Sequence, residues 1–314
     1  MIFSRVNQFR PFRDIQRALF LLLLSAGSIS AQISGAVIDQ KVVDEKPIEA
    51  ALSSAIRDGN AEQKRDALLS IRNFRSERAS RLAVPALRDK DPMVRATAAA
   101  SVVFLPKSEA LSSLLPLLND KIEFVRRETA YALGDVQDPA ATAPLVGLML
   151  NDKIFEVKTA AAISLGKIGD VAAVDSLLAI LKTRPREDDE FLRRCAARSI
   201  GQIAQISVTG DSTVLTPQNF LPEKFKELGS SADTGPTPQI LAAAVGVLTT
   251  VLQNKNESDD TRREAAFSLG AIGDVRSVGV LQPYLSGADP YLAEICKEAL
   301  LKIERRHKIT GSSD

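Results

Sequence analysis

Arginine and aromatic side chains recur at one spacing in this sequence, and they are the residues best suited to binding. Residues four apart share a helix face, and Arg beside aromatic rings is typical of binding hot spots. We therefore expect these residues to contact a partner if their helices line a groove. The alternative is that the rings pack in the core while the Arg side chains are solvated. The three pairs are Arg127 and Tyr131, Arg194 and Arg198, and Arg263 and Phe267.

A second basic column lies one position earlier in each copy. One hypothesis is a basic stripe that binds an acidic partner. The other is a structural ladder, in which Asp residues such as Asp91 and Asp120 help to join neighbouring units. Regular spacing is what the stacking of repeats requires, and it favours the ladder. The column consists of Arg95, Arg126, Lys158, Arg193 and Arg262.

Residues suited to catalysis are few. The chain has one His, His307, and two Cys, so a metal site with several imidazoles is excluded. Gly-rich phosphate loops, Cys-x-x-Cys pairs and nucleophile elbows are absent from the sequence. Acidic pairs such as Asp259-Asp260 begin helices, where they interact favourably with the helix dipole. We therefore predict no catalytic residue, no metal ligand and no cofactor, and a protein that is not an enzyme.

The N-terminus has the pattern of a secretory signal peptide. Four Arg residues lie in residues 1–17, an apolar run follows at 18–24, and small residues lead to Ala31. We predict a signal peptide over residues 1–31, cleavage after Ala31, and a periplasmic or extracellular protein without stable membrane insertion. The apolar run is too short to span a bilayer. Removal of residues 1–31 leaves 36 basic and 38 acidic residues, and this balance argues against nucleic-acid binding.

The remaining chain repeats with a period near 31 residues. Nearly identical segments begin at residues 125, 157 and 261, a fourth begins at 192, and weaker copies begin at 64, 94 and 292. Apolar residues within each copy follow a helical period. A shorter apolar helix precedes most copies, with Asp caps and Gly stops at the joints. The pattern predicts an all-α solenoid of about seven stacked hairpins, each with an outer helix A and an inner helix B.

Residues 120–138 and 152–170 are the segments that best match the pattern given by the string Asp-x-x-x-Val-Arg-x-x-Ala-x-x-Ala-Leu-Gly-x-x-Gly-Asp. This string resembles the HEAT-like repeats of phycobilin lyases (PBS lyases), and the resemblance extends over roughly residues 46–306. It implies an armadillo-like superhelix, and it says little about activity. Similar repeats occur in iron-dependent deoxyhypusine hydroxylases, which depend on His-Glu pairs. The corresponding helices here contain no His, so the resemblance does not extend to that iron site.

One long interval interrupts the repeats, and Gly, Ser, Thr and Pro dominate its ends. Phe220 and Phe225 lie in its middle, and one hypothesis is that they contact the groove or a partner. The alternative is a surface loop without a specific role. The predicted boundaries are a signal peptide at 1–31, a linker at 32–45, repeats 1–5 at 46–205, an inserted loop at 206–238, repeats 6–7 at 239–306 and a flexible tail at 307–314.

These observations favour an exported, non-catalytic scaffold that binds another protein or a peptide segment along its groove. The alternative is an enzyme, or an enzyme-accessory subunit, of the HEAT-like lyase and oxidoreductase group with an unrecognised site. A third hypothesis is an assembly factor of the cell envelope. Cys195 and Cys296 lie in non-adjacent repeats, too far apart for a disulfide, so we expect both to be reduced and mostly buried.

Overall fold

The computed structural model describes residues 45–210 and 238–311, with side chains described for 47–210 and 238–307. The predicted signal peptide lies outside the described residues, as do Phe220 and Phe225. The described chain forms fourteen α-helices and contains no strand, which confirms the predicted all-α class. Within the same residues, no helix is both long and apolar enough to cross a membrane.

The helices form seven hairpins that follow one another along the chain. Odd-numbered helices are the A helices and even-numbered helices are the B helices. Several A helices end in 3-10 segments that contain Pro, which cannot donate the next helical hydrogen bond. The helices are α1 Glu45–Asp58, α2 Ala61–Phe74, α3 Glu77–Ala83, α4 Pro92–Ser101, α5 Lys107–Leu114, α6 Glu123–Val136, α7 Thr142–Asn151, α8 Phe155–Ile168, α9 Val174–Lys182, α10 Glu190–Thr209, α11 Gln239–Gln253, α12 Asp259–Ile272, α13 Val278–Leu281 and α14 Pro290–Gly311.

Caps and turns explain why each helix begins and ends where it does. The side chains of Asp138, Asp170 and Asp274 accept hydrogen bonds from backbone N–H groups two residues later. Gly169 and Gly273 take left-handed conformations, with φ of 77° and 75°, at the ends of α8 and α12. These joints confirm the capping pattern predicted from the sequence.

The B helices pack directly against one another from α2 to α14, whereas the A helices make fewer contacts within their own layer. The B layer is therefore the more closely packed of the two layers. Small residues permit this approach. The Ser268 hydroxyl of α12 donates to the Ala197 carbonyl of α10 at 2.7 Å. A Cβ at Gly201 would lie 2.6 Å from the Phe267 ring.

The B layer is continuous across the interval that interrupts the repeats. Helices α10 and α12 pack closely, although residues 211–237 separate their hairpins in sequence. Helix α10 extends to Thr209, four residues into the predicted loop, and Gly210 ends it in a left-handed conformation. Helix α14 likewise extends to Gly311, beyond the predicted start of the tail at His307.

Candidate functional site

A cavity with a volume of about 420 Å³ opens where the B helices α6, α8 and α10 meet, and this surface of the B helices is termed the inner face. It contains Arg127 and Tyr131, two of the residues that the sequence singles out. The other lining residues come from α8, from the turn before α10 and from the first residues of α10. The complete lining is Arg127, Tyr131, Phe155, Glu156, Thr159, Asp188, Phe191 and Leu192.

The B helices around this cavity differ at one equivalent position. At the position of Arg127 in α6 and Arg194 in α10, α8 carries Thr159. The shorter side chain leaves space between two helices that bear Arg. Thr159 is buried, while Phe191 at the rim is 58% exposed. Phe155, Glu156, Thr159 and Phe191 were not predicted from the sequence, and the one signal for them is that Thr159 lies between helices that carry Arg at its position.

Some polar groups in this cavity have an ion-pair or hydrogen-bond partner within the described residues, and others have none. Arg127 forms an ion pair with Glu128 at 2.9 Å and lies 4.8 Å from the centroid of the Phe124 ring. Within the described residues, no side chain forms an ion pair with Glu156, and the hydroxyls of Tyr131 and Thr159 have no hydrogen-bond partner. Burial raises the pKa of Tyr131, and nearby Arg127 lowers it by less. The phenol is therefore protonated near neutral pH.

The other predicted inner-face residues form a separate cluster between α10 and α12. Arg194 pairs with Asp260 at 2.8 Å, and Arg198 pairs with Glu264 at 3.0 Å. Burial raises the pKa of Glu264, and it outweighs the lowering by the two arginines. In this cluster the predicted Arg side chains form ion pairs with carboxylates of the next repeat.

The remaining members of the predicted set are divided between the core and the repeat junctions. The Phe267 ring is buried, with Arg198 at 5.6 Å and Lys302 at 5.4 Å from its centroid. Arg263 pairs with Asp289 of the next repeat at 2.9 Å. The structure therefore brings Arg127 together with Tyr131, and it holds the α10–α12 residues apart from them.

The second basic column forms the predicted structural ladder in three of its five positions. Arg95 pairs with Asp120 at 2.8 Å, and Arg126 pairs with Asp152 at 2.6 Å. Each ion pair joins one repeat to the next, and Arg193 does the same with Glu257. Two members depart from the ladder, because Lys158 donates to the Leu150 carbonyl and Arg262 donates to the Leu252 carbonyl.

Neither cysteine belongs to the cavity or to a disulfide. Cys195 and Cys296 are free and buried, as predicted. Burial raises the pKa of Cys195 to about 11 and that of Cys296 to about 12. Both side chains are therefore neutral thiols under physiological conditions.

Comparison with known families identifies the repeats. Residues 48–133 and 122–201 match the family described as HEAT repeats, and residues 261–287 match the PBS lyase HEAT-like repeat. The chain is a HEAT-repeat protein. Its recurring Val-Arg, Ala-Leu-Gly and Gly-Asp elements are the residues that pack, stop and cap the helices of this family's hairpins.

Solved structures show the same fold. An engineered protein is similar over 84% of this chain and 69% of its own, with a TM-score of 0.51 and 20% identity. Kap121p, seen bound to Pho4p, is similar over 92% of this chain and 33% of its own, with a TM-score of 0.53 and 12% identity. The second of these solenoids binds another protein. At such identities the likeness concerns the fold alone.

Curated relatives overturn two predictions. The deoxyhypusine hydroxylase of Neurospora crassa is 45% identical over 64 residues, which are 20% of this chain and 20% of that enzyme. The prediction of a non-catalytic scaffold is wrong, as is the prediction that the chain is not an enzyme. The alternative, an enzyme or enzyme-accessory subunit, is better supported. Both predictions failed because the residues that pack the helices are similar in repeat proteins with different activities, so they do not indicate whether a chain belongs to an enzyme.

The chain spans about a fifth of the length of the curated relatives it matches, so its own activity is a matter for proposal. The described residues do not fit the iron site implied by His-Glu pairs. His307 is the one His in the chain, and it lies near the end of α14. Within the described residues, no group of three His, Cys, Asp or Glu side chains is placed to hold a metal ion.

Proposed function

We propose that this HEAT-repeat protein is a subunit of an enzyme that acts on a polypeptide, and that the inner face of α6, α8 and α10 holds that polypeptide. The observation that carries the proposal is the cavity of about 420 Å³ on this face. Its lining combines exposed aromatic surface with unpaired polar groups, which is the composition of a recognition site. The match to hydroxylases supports a role in an enzyme reaction.

The arrangement of the B helices favours an extended polypeptide as the occupant. Successive B helices present equivalent positions at a regular spacing, and an extended chain can follow such a row. Phe191 supplies an exposed ring, while Tyr131 and Thr159 supply hydroxyls that can bind backbone groups. The next part of this surface carries the arginines of α10 and α12, which are paired with carboxylates.

Comparison of peptide masses across the proteome tests this function. A strain that lacks the chain should lose a covalent modification, or gain an unmodified form, on at least one polypeptide. Wild-type protein should restore the modification, whereas Phe191→Asp should not, because the carboxylate disrupts the exposed aromatic rim. Leu150→Asp is the matched control, since Leu150 is 41% exposed on the A helix α7. Identical peptide masses in the two strains, or full restoration by Phe191→Asp, overturn the proposal.

We further propose that the protein acts outside the cytoplasm. The support is the basic start, the short apolar run and the small residues that end at Ala31. Sequencing of the purified protein's N-terminus should yield Gln32 as the first residue. A protein that retains Met1 and remains in the cytoplasmic fraction contradicts export without affecting the proposed role in an enzyme.

A further inference from the structure

We propose that the cavity between α6, α8 and α10 binds the primary ammonium group of a lysine side chain on the polypeptide. This inference rests on the proposed function in one respect, namely that the inner face holds a polypeptide. It adds the chemical class of the side chain that is recognised.

Charge in the cavity favours a cation. Glu156 lies on the cavity wall in the first turn of α8, and within the described residues no basic group forms an ion pair with it. Arg127, the basic residue of the lining, is neutralised by Glu128 at 2.9 Å. Asp188 lies 3.4 Å from Arg186 in an exposed pair. The carboxylate of Glu156 therefore remains available for a ligand.

Aromatic rings also favour a cation. Tyr131, Phe155 and Phe191 each contribute to the lining, and the faces of such rings attract ammonium groups. Phe155 already shows this behaviour, because the ammonium of Lys158 lies 6.0 Å from its centroid. That ammonium donates a hydrogen bond to the Leu150 carbonyl at 3.1 Å, and among the described residues it forms no ion pair with Glu156.

Hydrogen-bonding capacity distinguishes an ammonium from a guanidinium. A lysine ammonium has three donors and no acceptor. The cavity offers three unpartnered acceptor groups, which are the carboxylate of Glu156 and the hydroxyl oxygens of Tyr131 and Thr159. A guanidinium has five donors in a planar fork that suits bidentate pairing with a single carboxylate, whereas the acceptors here are divided between α6 and α8. The aliphatic part of a lysine side chain can pack against Leu192 and the aromatic rings.

Nuclear magnetic resonance titration of the intact chain tests the inference directly. The probe is a blocked peptide with one Lys between Gly and Ser residues, and the signals are the methyl groups of Thr159 and Leu192. Peptides with acetyl-lysine, norleucine or Arg in place of Lys are the comparisons. We expect the Lys peptide to shift these signals saturably, with an affinity at least tenfold higher than that of the uncharged peptides.

Two variants separate the site from general electrostatics. Glu156→Gln should weaken Lys-peptide binding by about tenfold, because it removes a charge-assisted hydrogen bond. Glu62→Gln should leave binding unchanged, since Glu62 is the equivalent second residue of B helix α2 and is exposed far from the cavity.

Several results overturn the assignment. These are an absence of saturable shifts, equal binding of Lys and norleucine peptides, equal or tighter binding of the Arg peptide, and unchanged binding by Glu156→Gln. The titration does not measure enzyme activity. A failed proteome comparison with intact Lys binding therefore removes the proposed function and leaves this site.

Discussion

Loss of the ion pair between Arg193 and Glu257 should weaken the junction between repeats 5 and 6 more than loss of any exposed pair. Both side chains are almost fully buried, at 1% and 3% exposure, and the residues lie 64 positions apart in sequence. The guanidinium also donates to the carbonyls of Ile180, Leu181 and Thr183 at the end of α9. It therefore joins three parts of the chain on both sides of residues 211–237.

Removal of one partner from a buried pair typically costs about 3–5 kcal/mol, because the other charge remains buried. Glu257→Gln should lie near the lower end, about 3 kcal/mol, since three carbonyls still solvate the guanidinium. Arg193→Met should lie near the upper end, about 5 kcal/mol, because it leaves a buried carboxylate and three carbonyls without their donor. The double variant should be less destabilised than the sum of the two single variants.

Native-state hydrogen exchange combined with urea unfolding measures this effect. Stability in a solenoid depends on contacts between neighbouring repeats, so α11–α14 should exchange faster in both variants while α1–α4 remain protected. Arg57→Met is the control, because its pair with Asp58 is 72% and 61% exposed and should contribute nothing measurable. A loss below about 1 kcal/mol for Glu257→Gln, or uniform loss of protection along the chain, refutes the reasoning.

Three further measurements test the packing and the ladder. Burial raises the pKa of Asp120, but hydrogen bonds from Arg95 and a backbone N–H lower it by more, so the pKa in the folded protein lies below its usual value. The free energy of unfolding should therefore fall as pH drops below about 4, and Asp120→Asn should flatten the pH profile of the urea midpoint. Gly201→Ala should lower the unfolding free energy by about 1–3 kcal/mol through overpacking, whereas Gly246→Ala, whose new methyl meets no atom within 4 Å, should not destabilise the protein. Both cysteines should resist alkylation until urea exposes them, because they are buried thiols with raised pKa values; rapid alkylation of the folded chain would contradict the structure.

The architecture was predictable because repetition multiplies weak local signals. One Val-Arg-x-x-Ala segment is ambiguous, but seven copies near one period, several of them followed by an Asp cap, specify a stack of hairpins. The ladder was predictable for the same reason, since Arg95 and Arg126 occupy equivalent positions in adjacent repeats. The exact partners were not, because Asp91 caps its own helix while Asp120 and Asp152 accept from the preceding repeat.

The candidate site was only half predictable, because it depends on a departure from the repeat. Sequence reasoning selected Arg127 and Tyr131 by their agreement with other copies, and that criterion also selected Phe267 and Arg263, which serve the core and a repeat junction. The cavity is lined by Thr159, at a position where the neighbouring helices α6 and α10 carry Arg. A long side chain at that position would fill the space that Tyr131 and Phe191 border.

This contrast suggests where to look for specific function in a repeat protein. Residues that agree among copies hold the stack together, as Arg126 and Asp152 do here, and their regularity follows from the packing that every repeat shares. A residue that differs from its equivalents, and leaves unpaired polar groups beside it, has no such structural reason. Glu156 and Thr159 satisfy both conditions in one turn of α8. For that reason, substitution of Thr159 by Arg, the residue that α6 and α10 carry at this position, should fill the cavity and abolish Lys-peptide binding. Retention of binding in a folded Thr159→Arg variant would show that the cavity is not the binding site.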